Sequence, residues 1–183
     1  GFERRAAYAL YEAGPQPTGA DEFHRLGPAD AERVWAFLRR SRHFEETSRS
    51  FEEHWVWFFL TEARLRERLQ SGRVYGWFGG RPSVAEGGLD GLVITDKPDQ
   101  DREGNPRLSL AYLDATEGNL AVMAQAFRAV AGQMELPKVR LKALARPERL
   151  VALEQAGYRR QWDAEMWLFA LESNGEGESD GSG

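Results

Sequence analysis

The sequence predicts a mixed α+β domain, and three observations carry that prediction. Short strand-like runs alternate with runs of helical period along the 183 residues. Pro28, Pro137, Pro147, Gly72 and Gly157 stand at the junctions between those runs. Hydrophobic residues make up 42% of the chain, enough to fill a sizeable core in one domain of ordinary length.

The elements follow in order. Residues 14–22, GPQPTGADE, are polar and rich in Pro and Gly, and read as a linker. FHRL (23–26) is a short strand candidate. Pro28 opens the segment ADAERVWAFLRR, in which Ala31, Val34, Trp35 and Leu38 recur on one helical face. Residues 43–57, HFEETSRSFEEHWVW, are acidic and aromatic without a clear period. A second helix is expected through FFLTEARLRERL, where Leu65 and Leu69 share a face and Glu62 supports Arg66 one turn on. Ser71-Gly72 ends it.

VYGWFGG (74–80) reads as a strand closing on a glycine turn, with GLDGLVITD (88–96) as its antiparallel neighbour. KPDQDREGNP (97–106) is a charged loop, and RLSLAYLDA (107–115) the next strand. It leads into a long helix whose buried face is expected at Leu120, Met123, Phe127, Val130 and Met134. KVRLKALA (138–145) alternates as a strand. Pro147 opens the short helix PERLVALEQA, and Gly157 stands where a helix end favours a left-handed residue. MWLFALE (166–172) is the last strand. From residue 23 the order is thus β-α-α-β-β-β-α-β-α-β, a central mixed sheet flanked by helices. The tail 173–183, SNGEGESDGSG, is polar, acidic and glycine-rich, and is expected to be disordered.

Composition narrows the function classes. The formal charge of −5 gives no electrostatic footprint for nucleic acid. The chain has no cysteine, which excludes disulfides and thiolate chemistry. No apolar run approaches the ~20 residues of a membrane helix, and residues 1–13 carry too much charge for a signal peptide. A soluble cytoplasmic protein without nucleic-acid or membrane partners is the expectation. His43 and His54 lie among Glu45, Glu46, Glu52 and Glu53, but the spacing matches no metal motif and reads as a solvated acidic face. Trp55, Trp57, Phe58 and Phe59 are too bulky for one core face; core packing is the expectation, with a pocket or interface as the alternative.

The element order and the phrase KVRLKALARPERLVALEQAGYRRQWDAEMWLFALE (138–172) resemble the GNAT superfamily of N-acetyltransferases. The topology covers residues 23–172, which are expected to be the GNAT-like domain. The opening GFERRAAYALYE looks like the same Gly-aromatic junction and closing strand. Gly1 and Gly157 are separated by about the length of one such domain. Residues 1–13 are therefore expected to be the strand remnant of a preceding GNAT-like domain in a tandem protein, with an ordinary N-terminal strand as the alternative. A partner half, or self-association, would cover what this chain exposes.

The resemblance implies acetyl-CoA as co-substrate and an amine of a small molecule or peptide as acceptor, with no metal. It implies that acetyl-CoA lies along Ala111, Tyr112 and Leu113, with its diphosphate on the turn formed by Thr116, Gly118, Asn119 and Leu120. Backbone amides at a helix start favour such an anion. The family's turn reads Gln/Arg-x-x-Gly-x-Gly/Ala. Here Gly118 matches the first glycine, Ala115 stands at the Gln/Arg position and Leu120 at the second small position. Leu120 adds bulk, and Glu117 adds a like charge, where a diphosphate would approach. ATEGN also reads as a plain helix start capped by Thr116 or Asn119. The family's tyrosine acid falls on Leu153, expected to be a core residue, which leaves Tyr112 and Asp114 as the catalytic candidates. Glu117 and Asp114 also read as solvated charges at a helix start. The acetyltransferase and a non-catalytic GNAT-like half that packs on an active partner both remain open.

Overall fold

In the computed structural model, which describes residues 2–53, 56–79 and 88–169, a large mixed sheet carries helices on both faces. In chain order the elements are β1 (Phe2–Ala13), β2 (Phe23–Arg25), α1 (Ala31–Leu38), α2 (Arg42–Glu46), β3 (Ser50–Glu53), β4 (Val56–Phe59), α3 (Glu62–Gln70) and β5 (Val74–Trp77). They continue with β6 (Gly91–Thr95), β7 (Asp99–Gln100), β8 (Pro106–Ala115), α4 (Leu120–Gln133), β9 (Val139–Leu144), α5 (Pro147–Gln155) and β10 (Arg159–Phe169). The strand order is β10-β1-β9-β8-β6-β5-β2, with β7 beside β8 and β3–β4 as a separate hairpin. β8 and β9 are parallel, and the other neighbours in the sheet are antiparallel. This is the α+β class that the sequence predicts.

β1 lies inside the sheet. One side pairs with β10, from Phe2↔Phe169 to Glu12↔Arg159, and the other pairs with β9, from Tyr8↔Leu144 to Ala13↔Val139. Strand alternation sends Ala9, Tyr11 and Ala13 into the core beneath α4, while Tyr8 joins Leu144 and Trp57 on the opposite face. Both edges of β1 are thus paired. Residues 14–22 have a linker's composition, yet they run along α4. The Arg128 Nε donates to the Gly14 carbonyl at 2.7 Å, and a Cβ on Gly19 would stand 3.0 Å from Ala126.

The two faces of the sheet make two cores. Met123, Phe127 and Val130 of α4 and Leu153 of α5 pack against Leu108, Leu110 and Leu113. Val34, Leu38, Leu65 and Leu69 pack on the other face against Leu92, Ile94, Ala111 and Tyr112. Along β8 the side chains therefore alternate faces except at Ala111 and Tyr112, which are adjacent and share one. The register of β8 against β6 shifts at the same place, from Tyr112↔Ile94 to Leu110↔Thr95. That is a β-bulge, which bends a strand and re-aims its side chains.

Several local expectations change. Phe58 and Phe59 belong to β4 rather than to a helix; α3 starts only after Thr61, whose Oγ1 accepts from the Arg64 amide. Bulky β-formers pair across the hairpin β3–β4, a tertiary choice that overrides helical continuity. Core packing holds for part of this aromatic cluster: Trp57 and Phe58 are half-buried and pack against Tyr8 with Leu144 and against the second core respectively, while Phe59 is 61% exposed and Trp55 lies outside the described residues. Met134 falls at the C-cap of α4 and is exposed, so the buried face ends at Val130 and Ala131. The 97–106 loop contains β7, held by the Asp99–Arg107 pair. β10 begins at Arg159, well before the run expected from residue 166, because β1 offers it a full-length partner. Residues 170–172 of that run and the tail 173–183 lie outside the described residues. Gly157 is left-handed, as read, with φ of 82°.

Candidate functional site

β8 and β9 are paired only from Leu108↔Val139 to Leu110↔Leu141. Immediately after the pair ends comes the bulge, and β8 runs on to Ala115 without β9. Beyond the parting, where Asp114 and Ala115 end β8, lies a cleft of about 960 Å³, walled by Arg40, Ser41, His43 and Glu46 on one side and by α5 on the other. Thr116, Gly118 and Leu120 line it where β8 passes into α4.

The turn into α4 is built from short-range bonds. Thr116 N donates to the Asp90 carbonyl at 2.7 Å, and Asn119 N donates to the Thr116 carbonyl at 3.0 Å. Asn119 is the N-cap residue, but its Nδ2 donates to Thr116 Oγ1 and no side chain caps the helix. The first-turn amides of α4 are thus left for other acceptors, at the positive end of the helix dipole. Gly118 has φ of 80°, and a Cβ there would meet nothing within 4 Å. Backbone angle, not crowding, requires this glycine. Leu120 packs against the core beneath α4 while also contributing to the cleft lining.

A buried polar cluster stands at the parting. Ser41 Oγ donates to Asp114 Oδ2 at 2.6 Å, lies 2.9 Å from the Tyr112 hydroxyl and accepts the Phe44 amide as N-cap of α2. The Arg149 guanidinium pairs with Asp114 Oδ1 at 3.2 Å, and its second amino group donates to the Leu113 carbonyl on the open side of β8. Arg149 is 6% exposed and Asp114 is also buried. Asp114 is therefore no solvated helix-start charge: three elements converge to bury it, and partners compensate it. Glu46 takes both Arg42 and Arg146 at the rim of the cleft.

His43 corrects a second expectation. It is half-buried rather than on a solvated acidic face, because the short helix α2 turns its ring against Tyr112, with centroids 5.4 Å apart. Burial, then the charges of Arg149 and Arg146, hold its pKa well below the usual histidine value, so the ring stays neutral. Burial, reinforced by the Asp114 charge, pushes the Tyr112 phenol up, and it stays protonated at neutral pH.

The structure thus divides the residues singled out from sequence. Asp114, Thr116, Gly118 and Leu120 line the cleft, and Asn119 braces Thr116. Ala111, Tyr112 and Leu113 line instead a small neighbouring void of about 10 Å³, which His43 and Trp57 also wall. Arg149 lines the cleft and reaches the Leu113 carbonyl, so it stands at the boundary between the two. Leu153 is wholly buried, the core residue expected. Ser41 and Arg149 escaped sequence reasoning. Ser41 left one signal, a serine three residues before Phe44 at a helix start; Arg149 left none. Among the described residues no group of side chains is suited to a metal ion, and no helix is long and apolar enough to cross a membrane.

No family model and no curated protein matches the sequence. Solved structures do match the fold. An acetyltransferase of the GNAT family from Novosphingobium aromaticivorans superposes with a TM-score of 0.58 at 15% identity, over 93% of this chain and 69% of that one. A GNAT-family acetyltransferase from Colwellia psychrerythraea gives 0.55 at 9% identity, over 91% of this chain and 56% of that one. A GCN5-related N-acetyltransferase from Sphaerobacter thermophilus gives 0.54 at 11% identity, over 90% of this chain and 51% of that one. The chain therefore spans little more than half the length of two of these structures. At such identities the likeness establishes the GNAT fold, and the activity has to be argued from the cleft.

Proposed function

We propose that this GNAT-fold chain binds acetyl-CoA in the cleft between β8 and β9 and transfers the acetyl group to an amine. The observation that carries the reading is the parting of the two strands after Leu110 and Leu141, with the open first turn of α4 facing the gap. The diphosphate would take the amides that follow Gly118, with the Thr116 hydroxyl beside them. In the transfer the amine nitrogen attacks the thioester carbonyl, the C–S bond breaks, and the nitrogen gives up a proton. Asp114, at the end of β8 and in the cleft lining, is the candidate acceptor of that proton; the protonated Tyr112 hydroxyl is the candidate donor to the thiolate. The acceptor is an amine of a small molecule or a peptide. The cysteine-free composition accords with a reducing compartment, the cytoplasm in this reading.

Titration of the chain with acetyl-CoA, followed by calorimetry and thermal unfolding, tests the reading. Ligand at about 100 times its dissociation constant should stabilise the fold by roughly 2.7 kcal/mol. No heat and no shift at millimolar acetyl-CoA would overturn it.

Leu153 favours a second reading. The residue that the family resemblance makes a tyrosine acid is here an apolar side chain sealed in the core. A GNAT-fold half that binds without turning over, packed on a catalytic half of a tandem protein, fits that substitution, and the greater length of two of the similar structures agrees with it. Binding of acetyl-CoA without thiol release in the presence of a panel of amines would select this reading over the first.

A further inference from the structure

We propose that Arg149 gates the cleft, occupying the place along β8 that the pantetheine arm of CoA would need. The inference rests on the acetyl-CoA reading and adds to it a control on entry. The positions implied for the arm are Ala111 to Leu113, and an extended amide chain laid beside a strand must use that strand's free carbonyls and amides. The Leu113 carbonyl is already used, by the Arg149 amino group. The same guanidinium is fastened to Asp114 at 3.2 Å, and its Nε is buried without a partner among the described residues. Ala111 and Leu113 line the small void and not the large cleft, whose wall at this end includes Arg149. The nucleotide end of CoA would lie toward Gly118, where an added Cβ would meet nothing within 4 Å, with Glu117 and Leu120 beside it in the cleft lining.

The gate is hinged on a residue that can release it. Arg149 sits in the first turn of α5, at the mouth of the parting, and a long side chain there can swing outward without moving the helix. Asp114 would keep the Ser41 and Tyr112 hydroxyls when Arg149 leaves, so its carboxylate is not stranded. Affinity for any ligand that needs the arm's place is lowered by the fraction of molecules in which Arg149 is withdrawn, and substitutions that withdraw it remove that penalty.

The test compares CoA with its nucleotide half alone, adenosine bearing the 3′-phosphate and 5′-diphosphate, by calorimetry on three proteins: wild type, Arg149→Leu and Asp114→Asn. In the wild type the two ligands should bind with affinities within about threefold, since the arm adds little. In both variants CoA should tighten by at least about tenfold while the nucleotide half stays unchanged. Asp114→Asn keeps the shape of the site and releases the arginine, so a poorly folded Arg149→Leu leaves the test intact. CoA binding to wild type more than tenfold tighter than the nucleotide half would overturn the gate, and this comparison needs no variant at all. Equal tightening of both ligands, or none, in a folded variant would also overturn it. Absence of binding by either ligand to every protein would instead remove the acetyl-CoA reading itself.

Discussion

Ser41 and Asp114, distant in sequence, share a 2.6 Å hydrogen bond beneath the parted strands, and the same serine oxygen caps α2. One atom therefore couples the wall of the cleft to its floor. Ser41→Ala removes the cap and leaves the carboxylate one donor short. Each loss is worth about 1 kcal/mol, and more where the stranded group is charged, so a combined cost of roughly 2–3 kcal/mol is expected in urea unfolding. A cost below about 0.5 kcal/mol would show that neither bond contributes.

Two glycines should respond differently to alanine. Gly91 lies on β6 under α4, where a Cβ would stand 2.1 Å from the Met123 sulfur, and Met123 is fully buried. Gly91→Ala must displace that side chain in a closed core, at about 1–3 kcal/mol. Gly118→Ala meets open space and bears only the left-handed backbone, roughly 1–2 kcal/mol. Melting curves of the two variants check the ranking, and the double variant Gly91→Ala with Met123→Leu checks its cause.

The inserted strand makes a prediction about truncation. Removing residues 1–13 would strip β9 and β10 of their common partner and uncover Leu141, Ala143 and Tyr158 along the core. The shortened chain should lose its cooperative thermal transition and associate through the bare edges. A synthetic peptide of residues 1–13 added in excess should restore the transition. A truncated chain that melts as sharply as the whole would show β1 to be dispensable.

The pH dependence of stability follows from His43, which Arg149 and Arg146 face from α5 and its N-cap, with Tyr112 against the ring. Its pKa is lowered in the folded state, so between the ordinary histidine value near 6.5 and the folded value the unfolded chain binds the extra proton. Stability conferred by the neutral ring is complete above about pH 6.5 and declines as pH falls below it, by at most about tenfold in the folding equilibrium per pH unit. Urea titrations at pH 7.5 and 5.5 should show a smaller decline for His43→Gln than for wild type. Equal declines would place the dependence on groups other than His43; Asp101, whose carboxyl Lys138 holds below the usual range, loses its contribution only in a more acidic window and stays outside this comparison.

What could be read from sequence is what burial writes locally. The face of α4 through Val130, the alternation of β9, the left-handed turn at Gly157 and the burial of Leu153 each follow from period or from one residue's backbone preference. Those patterns suffice for the α+β class, and the GNAT resemblance of residues 138–172 agrees with the fold found. The turn at Gly118 was legible too, as a helix start, though the pattern did not show that Asn119 would spend its side chain on Thr116 and leave the amides open.

Only the tertiary structure decided where β1 goes and what the cleft contains. An alternating strand states which residues it buries but not which edges it joins, since backbone hydrogen bonds carry no residue identity; Tyr8–Ala13 would suit many edges, and the length left open between β9 and β10 chose one. Likewise Asp114, His43 and Arg149 are ordinary charged or polar residues in the sequence. They become a buried cluster because α2, β8 and α5 meet where two strands part, and a side chain's charge state and partners are set by what surrounds it in space.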